Sequence, residues 1–350
     1  MHETKITPRQ RKILDTLSQM SLSRDEISKK LNPTYPVSKT TLFRDLGVLQ
    51  DLQLVEAKGV GKKTKYISLE NPLTRYVDIK EYFKEGSGLR QNAKDSFNFG
   101  VFDFLPSVLN EQEIKIAKKE FKKLSNQEQK LDPTIFKREI ERFTVEFSWK
   151  SSRIEGNTYS LLETDLLIKR MREAVGHPKY EAIMILNHKY AIDYILNHRS
   201  SYKILSIKKI VKIHNLITKD LEVSSGIRTN EVAITGTNYV PLKDAKSIHR
   251  ALSRTVKVIN KTEHPIAKAL VASSIIAYIQ PFSDGNKRTA RTLANAILIS
   301  HDAYPLSYRD LDELDYVQAM LLFYEQNNLY HHKRLFMEQL QFAVDNYFRA

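Results

Sequence analysis

Asp284, Gly285, Asn286, Lys287, Arg288 and Arg291 crowd into one short stretch, Ile279-Gln280-Pro281-Phe282-Ser283-Asp284-Gly285-Asn286-Lys287-Arg288-Thr289-Ala290-Arg291. One acid, one amide and three cations at this spacing suit the handling of a phosphorylated ligand. Gly285 lets the backbone turn tightly, so that successive N–H groups from Gly285 to Arg288 point at one centre at the start of a helix. Arg288 and Arg291 are three apart, which puts them on one helical side where both can grip phosphate oxygens. Asp284 offers a hard oxygen to a Mg²⁺ ion bridging phosphates. These are the parts that phosphoryl or nucleotidyl transfer needs: positioned phosphates, a metal and neutralised charge.

The elements that must position these residues are helical. Apolar segments run from Pro265 to Ile279 before the stretch and from Thr289 to Ile299 after it. Three- and four-residue apolar spacing also predicts helices over 105–123, 133–151, 161–175, 179–196, 207–218 and 312–348. One interruption lies between Gly226 and Pro241. There Val232, Ala233, Ile234 and Thr235 form a β-prone run, Gly236-Thr237-Asn238 a turn, and Tyr239-Val240-Pro241 a candidate return strand; the segment reads as a β-hairpin that needs a neighbour to pack on, a substrate-docking flap, or as a long loop.

Residues 1–70 read as a separate unit. Thr7 caps a helix carrying Ile13, Leu14, Leu17 and Met20 on one face, and Ser23 with Glu26 forms a capping box ahead of Ile27 and Leu31. Ser38 caps a third helix burying Leu42, Leu46 and Leu49, which leaves Lys39, Thr40, Thr41 and Arg44 facing out. Two short strands follow, over 54–58 and 63–68, joined through Gly59-Val60-Gly61. That order resembles a winged helix-turn-helix, in which the third helix enters a major groove and Lys58, Lys62, Lys63 and Lys65 line phosphates. The unit holds 13 Lys and Arg against 8 Asp and Glu. Double-stranded DNA is the expected partner, with protein contact or homodimerisation as the alternative. Residues 71–102 read as a linker helix followed by an extended loop.

Composition sets the outer bounds. The chain has 350 residues, enough for two or three domains, with 41% hydrophobic and 27% charged residues. There is no cysteine, so disulfides and thiolate chemistry are excluded. No segment reads as a signal peptide or a membrane span, so the expected location is the cytoplasm, with no membrane partner. The formal charge of +14 favours polyanionic partners.

The residues from Gln280 to Arg291 resemble the signature of the Fic family, His-Pro-Phe-x-Asp/Glu-Gly-Asn-Gly-Arg-x-x-Arg. The resemblance extends over residues 103–350 and includes the hairpin, which in the family is a flap that aligns a target segment; here its residues are Val232, Ile234, Thr235, Gly236 and Tyr239. A second motif, Ser151-Ser152-Arg153-Ile154-Glu155-Gly156, resembles the family's inhibitory segment, whose glutamate pairs with the second signature arginine, by position Arg291. The resemblance implies a mainly α fold, and transfer of AMP from ATP to a Ser, Thr or Tyr hydroxyl of a protein target. It further implies that Asp284 holds Mg²⁺, that Asn286 and the loop amides hold the α- and β-phosphates, that Arg288 neutralises developing charge, and that Arg291 carries the γ-phosphate. Glu155 would draw Arg291 away from that phosphate.

Two positions depart from the pattern. Gln280 stands where the family's general base His belongs, and a carboxamide has no titratable proton near neutrality. Because general-base help is typically ~10²–10⁴-fold, the expectation is a chain that binds nucleotide but transfers little or nothing. Lys287 replaces a glycine; the Asn-Lys-Arg form resembles the Doc branch, which moves a phosphate, so kinase chemistry is the alternative. Of the other histidines, His214 reads as a core residue, His264 as a helix start, and His331-His332 as surface. Trp149 reads as packing for the inhibitory segment.

Overall fold

The computed structural model describes residues 6–17, 21–33, 35–52, 54–128 and 130–348, without the side chains of Lys62 and residues 120–128. Met20 and the Lys62 side chain therefore lie outside the described residues. The chain divides into two compact units, Met1–Arg75 and Tyr76–Ala350.

The first unit has three helices, α1 (Pro8–Leu17), α2 (Arg24–Leu31) and α3 (Lys39–Asp51), then the antiparallel strands β1 (Val55–Lys58) and β2 (Lys65–Ser68). The expected caps form: Ser23 and Glu26 exchange both capping-box bonds, and the Ser38 hydroxyl accepts from the Thr41 N–H. Val55 lies opposite Ser68, and Lys58 opposite Lys65. Ile13, Leu14 and Leu17 meet Ile27, Leu31, Leu42, Leu46, Leu49, Val55 and Tyr66 in one core. Asp45, buried beneath this layer, accepts from Arg9 Nε at 2.6 Å and from Gln10 Nε2 at 3.2 Å, which ties α3 to α1. β2 is shorter than the sequence predicts because Gly61–Lys63 closes a 3₁₀ turn instead.

The second unit is helical. Its elements are α4 (Ile79–Tyr82), α5 (Val101–Phe104), α6 (Glu111–Glu128), α7 (Pro133–Arg153), α8 (Leu161–Arg170), α9 (Lys179–Asn197), α10 (Ile207–Ile217), α11 (Ala245–Lys261), α12 (Pro265–Ile279), α13 (Asn286–Ser300), α14 (Glu313–Gln326) and α15 (Tyr330–Asn346). Ile266 to Ile279 are all buried, so α12 is covered on every face and forms the centre. Helix α13 lies beside it and is mostly buried too, with several of its polar groups satisfied locally. Thr292 Oγ1 donates to Arg288 O, and Asn295 exchanges two bonds with Leu306.

Three expectations are corrected. The run 312–348 is not one helix: Asn327 takes a left-handed conformation, φ 50°, caps α14 and starts a turn into α15. His331 and His332 are buried, not exposed. His331 Nε2 meets Val77 O at 2.7 Å, and His332 Nε2 meets Ser273 Oγ at 3.0 Å. Among the described residues, 226–241 forms no hairpin, since the one sheet pairs β1 with β2. Its backbone is held by the body of the unit: Arg228 donates to Gln280 O, Asn230 O and Leu242 O, and the buried Tyr239 donates to Tyr278 O. The return arm pairs with residues of the expected linker, Val240 N donating to Asp95 O at 2.8 Å.

Candidate functional site

Helix α12 ends where the chemistry begins. Gln280 sits in the left-handed region, φ 51°, as its C-cap, and this turns the chain into the loop 281–285. Gln280 Nε2 donates to Ala277 O at 2.7 Å, so the carboxamide folds back on its own helix. The loop is closed by Asn286, whose Oδ1 accepts from Phe282 N at 2.9 Å and whose Nδ2 donates to Phe282 O at 2.8 Å. Asn286 thus shapes the loop with both ends of its side chain. Phe282 stacks on His214, rings 3.7 Å apart and 8° from parallel, and His214 Nε2 contacts Asp284 O at 3.0 Å. Sequence reading recognised His214 as core but missed that it braces the loop; its partner lies 70 residues away.

Gly285 caps α13 with φ 75°, a region that side-chain-bearing residues rarely adopt. A Cβ there would stand 2.8 Å from Thr218 Cγ2. The backbone can make this turn only where no side chain is present.

Arg288 and Arg291 rise from α13 on one side, both buried. Arg288 Nη2 donates to Asp284 Oδ2 at 2.9 Å, whereas Arg288 Nη1 is buried with no hydrogen-bond partner among the described residues. A buried guanidinium N–H without an acceptor is costly, so this edge is prepared for an anion. The Asp284 carboxylate is 68% exposed and opens outward. Arg291 is fully buried: Nε donates to Ser151 Oγ at 3.1 Å, Nη2 to Ser151 O at 2.8 Å and Glu155 Oε1 at 2.9 Å, and Nη1 to Tyr316 OH at 3.4 Å. Tyr316 was not foreseen, for its place beside Arg291 follows from packing of α14 rather than from any motif.

Glu155 reaches this pair from the turn after α7. Ile154 N donates to Lys150 O, Gly156 N to Arg153 O, and Gly156 takes φ 93°, so the helix unwinds just where Glu155 turns inward. Its other oxygen, Oε2, lies 3.0 Å from Lys287 Nζ. Burial works to raise the Glu155 pKa, but the charges of Arg291 and Lys287 outweigh it and hold the carboxyl down at about 2. Glu155 is therefore ionised at any ordinary pH. Beneath the segment His188 is buried against Met184 O and Ser152 Oγ; burial pushes it down to about 3, which keeps it neutral and adds no competing charge. Trp149 Nε1 donates to Tyr159 O, which fixes the end of α7.

The structure thus brings together Gln280, Asp284, Gly285, Asn286, Lys287, Arg288, Arg291, Ser151, Glu155 and Gly156. The expected flap residues stand apart as a loop. Val232 and Ile234 are half-buried, Thr235 and Gly236 exposed, and Tyr239 buried under Tyr278. In the first unit Lys39, Arg44 and Lys63 are exposed, whereas Thr41 is half-buried and its hydroxyl meets Ser38 Oγ at 2.9 Å.

Fold and site together define a helical domain whose loop–helix junction gathers buried cations that an internal carboxylate clamps. Residues 204–298 match the sequence model of the Fic/DOC family. Similar curated proteins are named protein adenylyltransferase Fic. The one from Nematostella vectensis is 28% identical over 194 residues, 53% of this chain and 44% of that protein. The one from Drosophila melanogaster is 30% identical over 158 residues, 43% of this chain and 31% of that protein. The chain spans less than half the length of these relatives. Among solved structures, Fic-1 from C. elegans aligns with a TM-score of 0.57 at 19% identity, covering 71% of this chain and 80% of that one. A Fic-domain signaling protein from Bacteroides thetaiotaomicron aligns at 0.54 and 20%, covering 66% and 95%. At such identities the likeness speaks for the fold alone.

Proposed function

We propose that this chain binds ATP at the loop 280–291 and is a Fic-type protein adenylyltransferase whose transfer step is restrained twice, by Gln280 and by Glu155. The observation that carries the reading is the buried Arg288–Arg291 pair at the start of α13, with Arg288 Nη1 lacking a hydrogen-bond partner among the described residues and Glu155 occupying Arg291. A carboxylate resting on the cation that would hold a terminal phosphate supports an internal inhibitor. The names of the curated relatives support AMP as the group moved.

In the reaction a hydroxyl oxygen of the target protein attacks the α-phosphorus of ATP. The new O–P bond forms as the bond from the α-phosphorus to the bridging oxygen breaks, and pyrophosphate leaves. The hydroxyl proton needs an acceptor at position 280, which the carboxamide does not provide. Arg288 neutralises charge on the phosphates, Arg291 once freed takes the γ-phosphate, and Asn286 holds the loop in shape. Asp284, whose Oδ1 receives no hydrogen bond from the described residues, suits a Mg²⁺ ion held by one carboxylate and phosphate oxygens, which would add further charge neutralisation.

The test uses ATP labelled at the α- or the γ-phosphorus, with Mg²⁺, on the chain as it stands, on Gln280→His, and on Gln280→His with Glu155→Gly. The expected outcome is α-label on protein, faint or absent in the first, and rising by roughly 10²-fold or more in the last. Label from the γ-phosphorus alone would favour the Doc-like phosphate transfer that Lys287 suggests. No label from either in the double variant would sink the enzyme reading.

The first unit carries a second reading: a winged helix that binds duplex DNA, supported by the exposed Lys39, Arg44 and Lys63 on α3 and the turn before β2. In that reading the second unit serves as a nucleotide sensor attached to a DNA-binding regulator.

A further inference from the structure

The two cations on Glu155 are fastened very differently. Arg291 is 0% exposed and has Ser151 Oγ, Ser151 O and Tyr316 OH as partners besides Glu155. Lys287 is 31% exposed, stands in the first turn of α13, and has Glu155 Oε2 as its only ion-pair partner among the described residues. Lysine carries a compact charge on a flexible four-carbon stem, free to swing once its acceptor goes. The same first turn offers its backbone N–H groups to an anion, and Arg288 Nη1 lies buried and unpaired beside it. A carboxylate oxygen and a phosphate oxygen are therefore rival acceptors for one ammonium group.

We propose that Lys287 is a partner-exchanging cation. It clamps Glu155 while the site is closed, and it turns to a phosphate oxygen of the bound nucleotide once that carboxylate has left. This rests on the ATP-site reading above and adds the residue through which inhibition and nucleotide binding compete. Lys287 then has two opposite effects on one equilibrium. With Glu155 present it holds the competitor in place and weakens nucleotide binding; without Glu155 it only attracts phosphate.

The test is equilibrium binding of ATP with Mg²⁺ to the full chain in four forms: unchanged, Lys287→Ala, Glu155→Gly, and both together. Lys287→Ala is expected to tighten binding roughly three-fold in the unchanged background and to weaken it roughly three- to ten-fold in the Glu155→Gly background, magnitudes set by a partly exposed ion pair. Lys287→Arg is expected to restore both values, which separates lost charge from damaged packing. An effect of one sign in both backgrounds, or none in either, overturns the exchange. If Glu155→Gly tightens ATP binding while the Lys287 effect keeps its sign, the exchange alone fails. If none of the four forms binds ATP, the ATP-site reading fails with it.

Discussion

At Gly285 the whole site depends on a missing side chain. The residue must hold φ 75°, and a methyl group there would press on Thr218 at 2.8 Å. Gly285→Ala is expected to cost about 1–3 kcal/mol of stability in the second unit and to weaken ATP binding, since strain and overlap act together. Gly47→Ala on α3 meets open space and an ordinary helical backbone, so it is expected to stabilise the first unit by up to about 1 kcal/mol. Urea unfolding of the two variants and ATP titration of the first check this; a Gly285→Ala protein as stable and as tight-binding as its parent would contradict the role of the turn. The cradle was legible in sequence because its residues are contiguous and each has a local reason to be there. Ser151 was legible only as part of the inhibitory segment, His214 only as core, and Tyr316 not at all. What they touch is decided by α7, α10 and α14 packing on α13, and no local spacing records that. His331 and His332 show the same limit: adjacent polar residues read as surface, yet Ser273 and Val77 O give each a buried partner.

At the scale of elements, capping chemistry was the most readable signal. Ser23, Ser38, and His264 with Pro265 all begin helices where side-chain acceptors and a proline say they should. The break at Asn327 was hidden because apolar spacing runs through it; only the left-handed backbone marks it. Arg90 was missed for another reason, as it sits in a stretch without periodicity. Its side chain is buried, lies 3.2 Å from Glu325, donates to Gly236 O, and rests over the Phe83 ring at 4.8 Å. Tyr82 donates to the same carboxylate at 2.8 Å, so the segment 82–96 braces the loop 226–241. Arg90→Met would leave Glu325 charged and buried without its cation, at a cost of about 3–5 kcal/mol. Hydrogen exchange is expected to quicken at residues 236–240 in this variant, while α12 and α13 stay protected. Unchanged exchange there would rule out the brace.

For the molecule as a whole, charge is the property with the longest reach. A net +14 spread over two units makes association with a polyanion salt-dependent whichever unit binds it. If the first unit docks on duplex DNA, replacing Arg44 or Lys63 with Ala removes one phosphate contact each. The slope of log K against log salt should then become shallower by about 0.9 per substitution. Fluorescence anisotropy of a labelled duplex at several salt concentrations measures it. Slopes that stay the same would place the basic residues on a merely solvated face and leave the first unit to protein contacts.

The contact between Glu155 and Arg291 spans 136 residues of chain. A polypeptide leaves the ribosome from its N-terminus, so α7 and the turn bearing Glu155 are made well before the loop and α13 emerge. On the proposed reading of Glu155, the restraint is thus older than the site it restrains in the life of every molecule. On that reading a newly made chain need not pass through a moment of unguarded activity, because the guard is carried on the same polypeptide.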